Sequence, residues 1–178
     1  MDLNTVLCSI VGFTAWSSTR EPSQVFTLLE NIYHSFDEIA KRRRIFKVET
    51  VGDCYVAVSG LPEPRKDHAV AMARFAKDVL HKFNAMVKHM VVELGPDTED
   101  LGLRVGLHSG PVTAGVLRGE RARFQLFGDT MNTAAVSAKL VNCDCDSNCN
   151  LHPSKIPFHS ANGAYWISKQ SSDVTGNS

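Results

Sequence analysis

The pattern of apolar and polar positions predicts strands and helices that alternate over most of the chain. Residues 5–11 form a nearly continuous apolar run, which predicts a buried strand that ends at Gly12. Pro22 suits a first helical turn, and apolar side chains recur at helical spacing after it. A second helical repeat follows Asp67, whose side chain is able to cap it, and continues to Val87.

Turn residues divide the remaining apolar positions into short strands. Apolar and β-branched residues flank Gly52 and Asp53, which predicts a hairpin with Asp53 at its tip. Residues 109–111, Ser-Gly-Pro, predict another turn. Later runs predict further strands and a helix, at residues 101–107, 112–117, 124–127 and from about Met131, after a cap at residues 128–130. This order predicts an α+β fold built on a mainly antiparallel sheet flanked by helices.

The apolar pattern decays after about Leu140. We therefore predict one folded domain over residues 1–140 and a divergent, weakly ordered C-terminal end of the same domain over residues 141–178. A length of 178 residues suits a single domain with a real hydrophobic core.

Charge and hydropathy narrow the classes of partner and the location. Lys+Arg and Asp+Glu both number 19, so overall charge gives no reason to expect a nucleic acid or an anionic membrane as partner. The first residues do not resemble a signal peptide, and no apolar run approaches the ~20 residues of a membrane span. We predict a cytoplasmic protein, or the cytoplasmic domain of a larger membrane-associated one.

The chain has five cysteines, and this odd number favours a reducing compartment over a disulfide framework. Cys143, Cys145 and Cys149 precede His152, and this cluster is either a zinc site or part of an irregular insert. Its spacing differs from the usual pairs of cysteines two residues apart. The spacing alone does not decide between the two interpretations.

Consecutive basic residues, Lys-Arg-Arg-Arg at 41–44, close the first long predicted helix. Positive charge at a helix C-terminus complements the helix dipole. Two interpretations stay open: a solvated helix end, or a surface that touches phosphate or lipid headgroups.

Five phrases occur in a fixed order: SIVGFT (9–14), ETVGDCY (49–55), SGLP (59–62), LRVGLHSGP (103–111) and FGDTMNTAA (127–135). Together they resemble the catalytic domain of class III nucleotidyl cyclases, especially the guanylyl cyclase branch. The resemblance implies a ferredoxin-like α+β core and a head-to-tail homodimer or heterodimer with the active site between subunits. The implied reaction turns a nucleoside triphosphate into its 3′,5′-cyclic monophosphate and pyrophosphate for intracellular signalling.

The resemblance also assigns roles to single residues. Asp53 matches one of two aspartates that hold two divalent ions in the family, and hard oxygen ligands suit Mg²⁺ or Mn²⁺. Arg104 matches an arginine that contacts the phosphates, and Asn132 matches a catalytic asparagine that orients the ribose from the other subunit. The family's phosphate cradle matches the backbone N–H groups of Ile10, Val11, Gly12, Phe13 and Thr14.

Two residues at the family's base-reading positions favour GTP over ATP. A guanine edge offers N1–H and N2–H₂ donors, and the carboxylate of Glu49 is able to accept from both. Adenylyl cyclases tend to carry Lys at that position. The second position is Gln125, where guanylyl cyclases usually have Cys, and its amide is able to donate to guanine O6.

The sequence departs from the family at chemically important positions. Ser9 aligns with the first metal-binding aspartate, so the two-metal site is predicted to be incomplete. Val136 aligns with the arginine that stabilises the pentavalent phosphate. Residues 175–178 align with the family's Lys-Gly stretch without its lysine. We therefore predict a guanylyl cyclase with impaired activity, or alternatively a silent cyclase homology domain that dimerises with a partner and regulates it.

Overall fold

The computed structural model describes residues 2–118, 122–139 and 164–168. The helices and strands in chain order are β1 (Asp2–Val11), α1 (Phe13–Ser18), α2 (Pro22–Arg43), β2 (Phe46–Val51), β3 (Cys54–Ser59), α3 (His68–Leu94), a 3₁₀ helix (Pro96–Asp100), β4 (Gly102–Pro111), β5 (Thr113–Leu117), β6 (Arg123–Phe127), α4 (Asp129–Lys139) and β7 (Ala164–Ser168). Within these residues, no helix combines the length and the apolarity needed to cross a bilayer.

The central sheet has the order β2-β3-β1-β4-β7, and every pair of neighbouring strands is antiparallel. β5 and β6 form a separate antiparallel ribbon. An antiparallel sheet flanked by helices confirms the predicted α+β class. The central position of β1 explains its apolar run, because a strand paired on both sides and covered by helices buries both faces.

Helices α2 and α3 cover one face of the sheet. Val6 and Cys8 of β1, Tyr55 of β3 and Val105 of β4 are buried in the same cluster as the apolar stripes of both helices. A large fully buried aromatic residue of α3, Phe75, stacks on Tyr55 at a centroid distance of 6.3 Å. This layer is the main hydrophobic core, and it leaves the opposite face of the sheet for other contacts.

The opposite sheet face is called here the site face, and it carries Ser9, Glu49 and Arg104. Ser9 and Arg104 are directly paired across β1 and β4, so their side chains lie on the same side. Glu49 pairs with Val56, which pairs with Leu7, two residues from Ser9 on β1. Helix α4 packs on this face, where a Cβ on Gly106 would lie 2.1 Å from the Ala134 carbonyl oxygen.

The observed elements correct several details of the prediction. Residues 109–111 complete β4 rather than forming a turn, because Pro111 pairs with Asp2 at the end of β1. Asp67 is the N-cap residue of α3, but its carboxylate accepts from Arg65 instead of capping the helix. Of the predicted weakly ordered end, the structure describes β7, which pairs with β4. The remaining residues after Lys139, including the cysteine cluster, lie outside the described residues.

Candidate functional site

Asp53 lies at the tip of the β2–β3 hairpin, next to Ser9. The Ser9 hydroxyl donates to Asp53 Oδ2 at 3.1 Å, and the backbone N–H of Ile10 donates to the Asp53 carbonyl at 3.3 Å. Gly52 makes the tight turn possible, since its φ of 57° lies in the left-handed region. The end of β1 and the hairpin tip therefore form one small polar site.

Two side chains of α2 hold the hairpin in place. Tyr33 donates its hydroxyl to the Gly52 carbonyl at 2.7 Å, directly beside Asp53. Asp37 accepts from Lys47 Nζ and from the Tyr55 hydroxyl, both at 2.8 Å. The tip that carries Asp53 is thus fixed to a helix that is itself part of the main core.

Tyr33 was not among the predicted site residues. It follows Ile32 of the apolar stripe of α2, and its partly buried ring packs against Tyr55 at a centroid distance of 5.9 Å. The only signal in the sequence is a tyrosine at the edge of a helix stripe, where its ring packs and its hydroxyl needs a polar partner.

The sequence-predicted phosphate turn overlaps the end of β1: Ile10 and Val11 belong to the strand, and Gly12, Phe13 and Thr14 follow it. Gly12 has a φ of 80° and begins α1, whose first backbone N–H groups have no partner within the helix. Trp16 fixes this short helix, because its backbone N–H donates to the Gly12 carbonyl and its indole N–H donates to Thr98 Oγ1. The turn, Ser9 and Asp53 therefore occupy the same corner of the sheet.

Arg104 and Glu49 lie on the site face, on either side of this corner. Arg104 is the cross-strand neighbour of Ser9, which in turn pairs with Cys54 next to Asp53. Glu49 lies farther along β2, opposite Val56. Both charged side chains are partly buried, which fits residues that meet a ligand at the edge of a packed sheet.

Gln125 lies on β6, paired with Gly115 of β5. The neighbouring Phe124 packs edge-to-face on Phe46 of β2 at a centroid distance of 5.2 Å. This contact brings the β5–β6 ribbon against the strand that carries Glu49. The two predicted base-reading residues therefore lie on adjoining elements.

Asn132 and Val136 are one turn apart on α4 and point away from the sheet. Ala134 and Ala138 of the same helix are buried against the site face, whereas Asn132 is exposed and Val136 is 53% exposed. Residues four apart share a helix face, so Asn132 and Val136 form one outward surface. The structure does not bring this surface to the Ser9–Asp53 corner of the same chain.

Comparisons with known proteins agree on one family. A family model described as the adenylate and guanylate cyclase catalytic domain matches residues 2–142. The chain is 48% identical over 126 residues to the receptor-type guanylate cyclase gcy-28 of Caenorhabditis elegans, covering 71% of this chain and 10% of that protein. It is 44% identical over 128 residues to atrial natriuretic peptide receptor 2 of Homo sapiens, covering 71% and 12%.

A solved structure agrees with these relatives. The guanylate cyclase domain of RhGC from Catenaria anguillulae, crystallised in complex with GTP, matches with a TM-score of 0.67 and 37% identity. The match covers 75% of this chain and 70% of that one. The chain belongs to the adenylate and guanylate cyclase family. It spans about a tenth of the length of these curated relatives.

Cyclases of this family use divalent metal ions, so the corner must be tested as a metal site. A pair of ions needs bridging carboxylates, and the corner offers the Asp53 carboxylate with a neutral hydroxyl that donates to it. Among the described residues, no group of three His, Cys, Asp or Glu side chains is placed to hold a metal. Asp53 is thus the one carboxylate that the described residues bring to this corner, where the family resemblance implies two.

Burial keeps two groups near the Ser9–Asp53 corner protonated. The pKa of Tyr33 is raised, first by burial and then by the nearby Asp53 carboxylate, so this tyrosine stays a hydrogen-bond donor. Burial and then Cys54 raise the pKa of the Cys8 thiol, which stays neutral. Neither group is poised to act as a base at neutral pH.

Proposed function

We propose that this domain recognises GTP and converts it slowly to 3′,5′-cyclic GMP and pyrophosphate, with turnover impaired at Ser9 and Val136. The observation that carries the proposal is the 3.1 Å hydrogen bond between Ser9 and Asp53. It joins β1 and the hairpin tip in the arrangement implied by the cyclase resemblance, and a hydroxyl stands where the resemblance implies a carboxylate.

The preference for GTP rests on Glu49 and Gln125. A carboxylate accepts two hydrogen bonds from a guanine edge and repels the acceptor N1 of adenine. A side-chain amide is able to donate to guanine O6. The GTP complex of the related RhGC domain supports this choice of base.

The chain's own residues supply positioning and part of the charge stabilisation. The ribose 3′-hydroxyl attacks the α-phosphorus and releases its proton to water, and the bond from the α-phosphorus to the pyrophosphate oxygen breaks. In this proposal, backbone N–H groups of Gly12, Phe13 and Thr14 and the Arg104 guanidinium hold the phosphates, because the Ile10 N–H already donates to the Asp53 carbonyl. Asn132 orients the ribose. Val136 provides no charge for the transition state, and losing one such preorganised group costs about 3 kcal/mol of barrier.

A second copy of the chain, or a related chain, completes the site in this proposal. Asn132 and Val136 face outward on α4, away from the corner that carries Asp53. Large apolar side chains on neighbouring elements are about half exposed: Val116 56%, Leu117 53% and Phe127 49%. Large exposed apolar side chains on one two-stranded ribbon favour a protein contact.

A second function is a silent cyclase homology domain that dimerises with a partner and regulates it. Ser9 and Val136 favour this alternative, because in a shared site each substitution affects a different half. With an intact partner, one site would meet Val136 and the other would meet Ser9, so neither would be complete.

The test measures cyclic GMP and cyclic AMP made from GTP and ATP, with Mn²⁺ and then with Mg²⁺. Wild type is compared with the double variant Ser9→Asp/Val136→Arg and with Asp53→Asn. We expect slow cyclic GMP formation by wild type, a gain of at least about 100-fold in the double variant, and none with Asp53→Asn. A silent wild type that gains activity in the double variant indicates a decayed cyclase whose scaffold and dimer are intact, and silence of both favours the regulatory function. A wild-type rate equal to that of the double variant contradicts the impairment.

A further inference from the structure

A cluster of arginines surrounds a cavity that plays no part in the proposed reaction. The cavity has a volume of about 260 Å³ and lies where α2 ends and α3 begins. Its lining residues are Arg42, Arg43, Arg44, Arg65, Asp67, Ala71 and Arg74. These arginines, called here the arginine cluster, come from the end of α2, the loop before α3 and the first turns of α3.

Ion pairs hold part of the cluster rigidly. Arg42 and Arg43 both contact Asp78 Oδ2, at 3.2 and 2.8 Å. Arg65 forms a two-pronged contact with the Asp67 carboxylate and also donates to the Arg43 carbonyl at 3.2 Å. Three of the guanidinium groups are therefore fixed in position before any ligand arrives, which lowers the entropy cost of binding.

The other two arginines are available for a ligand. Arg44 and Arg74 are exposed, and neither forms an ion pair with another residue in the described part of the chain. Arg44 sits at the α2 C-cap with φ 55° and ψ 48°, so the chain turns there and its side chain leaves the helix direction. Asp67 and Asp78 offset only two of the five guanidinium charges.

The cluster has the chemistry of a site for clustered phosphates. Guanidinium groups bind phosphate oxygens through two parallel hydrogen bonds and keep their charge at any ordinary pH. Positive charge in excess over carboxylates around one cavity attracts an anion. The first backbone N–H groups of α3 add a favourable dipole at the same place. A single phosphate would engage only part of the five guanidinium groups.

The shape of the cavity distinguishes a small anion from a nucleic acid strand. Among the described residues that line it there is no aromatic side chain on which a base would stack. The arginines converge on one cavity instead of following an extended groove. The arginine cluster is also separate from the Ser9–Asp53 corner, because β2 begins beside the cluster and runs ~20 Å to the hairpin tip.

We propose that the arginine cluster binds a compact anion carrying two or more phosphate groups, either free in solution or as the headgroup of a lipid. Arg44 and Arg74 contact the phosphates directly. Arg42, Arg43 and Arg65, held by their aspartates, supply the fixed positive field. This binding does not depend on cyclase activity.

The test titrates the protein with inositol 1,4,5-trisphosphate by calorimetry. In parallel it measures sedimentation with phosphatidylcholine vesicles, with and without phosphatidylinositol 4,5-bisphosphate. The variant is Arg44→Gln/Arg74→Gln, which leaves the ion pairs of the cluster intact. The matched control is Lys82→Gln/Lys88→Gln, which removes the same charge from exposed positions of α3 about 12 and 21 Å farther along the helix.

We expect the cluster variant to bind the trisphosphate at least about tenfold more weakly, with the control unchanged. Binding of the free trisphosphate without vesicle binding supports a soluble anion, and binding of both supports a headgroup. No binding by wild type overturns the proposal, as does an equal loss in the control pair. Tighter binding of a DNA duplex than of the trisphosphate also overturns it. An Arg104→Gln variant must retain binding, which separates this site from the nucleotide site.

Discussion

Ser9 and Asp53 form the polar corner of this cyclase domain. A serine differs from an aspartate in charge and in reach, and here its hydroxyl donates to the Asp53 carboxylate at the corner. Asp53 at a hairpin tip follows from the local pattern of turn residues. Its contact with Ser9, 44 positions earlier, does not, because it requires the pairing of β1 with β3.

Substitution at Glu49 tests the choice of base. Glu49→Lys removes the acceptor for the guanine N1–H and N2–H₂ groups and adds a donor in its place. We expect the ratio of GTP to ATP affinity to fall at least about tenfold, because hydrogen bonds to a charged acceptor contribute about 2 kcal/mol each. Competition binding with a fluorescent nucleotide measures this ratio without requiring turnover.

Thr50→Lys is the control, since it places a lysine at the exposed next position of β2 without removing a carboxylate. Its ratio of affinities should stay at the wild-type value. Equal effects of the two variants would mean that charge near the hairpin acts generally, and that Glu49 does not contact the base.

The hydroxyl of Tyr33 allows a test of how the hairpin tip is held in place. Tyr33→Phe removes the hydroxyl that donates to the Gly52 carbonyl and leaves the ring packed on Tyr55. We expect a loss of about 1 kcal/mol in the free energy of unfolding, measured by urea denaturation at neutral pH. No loss would mean that the hairpin tip is held without this bond.

The pH dependence of the same two proteins checks the pKa of Tyr33. Burial raises this pKa above the value of the unfolded chain, which is near 10. The contribution of this raised pKa to the free energy of unfolding is fully present below pH 10 and is lost as pH rises toward the folded-state pKa. Above pH 10, wild type should lose stability more steeply than Tyr33→Phe, and parallel curves would contradict this assignment.

At the scale of elements, the strands and helices with a clear local period are predicted well. The β2–β3 hairpin, α2 and α3 all follow from their own sequence. α1 and β7 were missed for physical reasons. α1 is only six residues long, so its position is set by the Trp16 contact with Thr98. β7 gains its structure by pairing with β4, which is distant in sequence.

The close approach of α4 to β4 requires the absence of a side chain at Gly106. In Gly106→Ala, the new Cβ would meet backbone atoms of Ala134 and Ala138 at 2.1 and 2.6 Å, so α4 must move. We expect a loss of about 2 kcal/mol in stability, as for other overpacked cores, measured by urea denaturation. The same shift displaces Asn132 and Val136, which lie on this helix.

Gly115→Ala is the control for this prediction. Gly115 is also in a strand, but a Cβ added there would meet no described atom within 4 Å. The stability of this variant should stay within about 0.5 kcal/mol of wild type. Equal losses in the two variants would point to a general effect of removing a glycine.

At the scale of the whole molecule, one chain does not assemble the complete set of predicted groups. The Ser9–Asp53 corner lies on the sheet, while Asn132 and Val136 face outward from α4. Sequence resemblance implied this division, because the family shares its sites between subunits. Periodicity alone does not indicate it, since the outward face of α4 resembles any exposed helix surface.

The division of the site predicts complementation between two impaired variants. Ser9→Asp restores a carboxylate in one half of the site, and Val136→Arg restores a charge in the other half. In a head-to-tail dimer of one chain of each kind, one of the two sites holds both restored groups. The other site holds neither.

The most direct measurement is cyclic GMP formation from GTP by each single variant, by their equal mixture, and by the double variant. We expect each single variant to stay at least about 100-fold below the double variant, because every site still lacks one group that is worth about 3 kcal/mol. The mixture should reach about one quarter of the double variant's rate, because half of the randomly formed dimers carry one complete site. A mixture no faster than the single variants, with an active double variant, would contradict a site shared between chains. A wild type as active as the double variant would contradict the impairment by Ser9 and Val136.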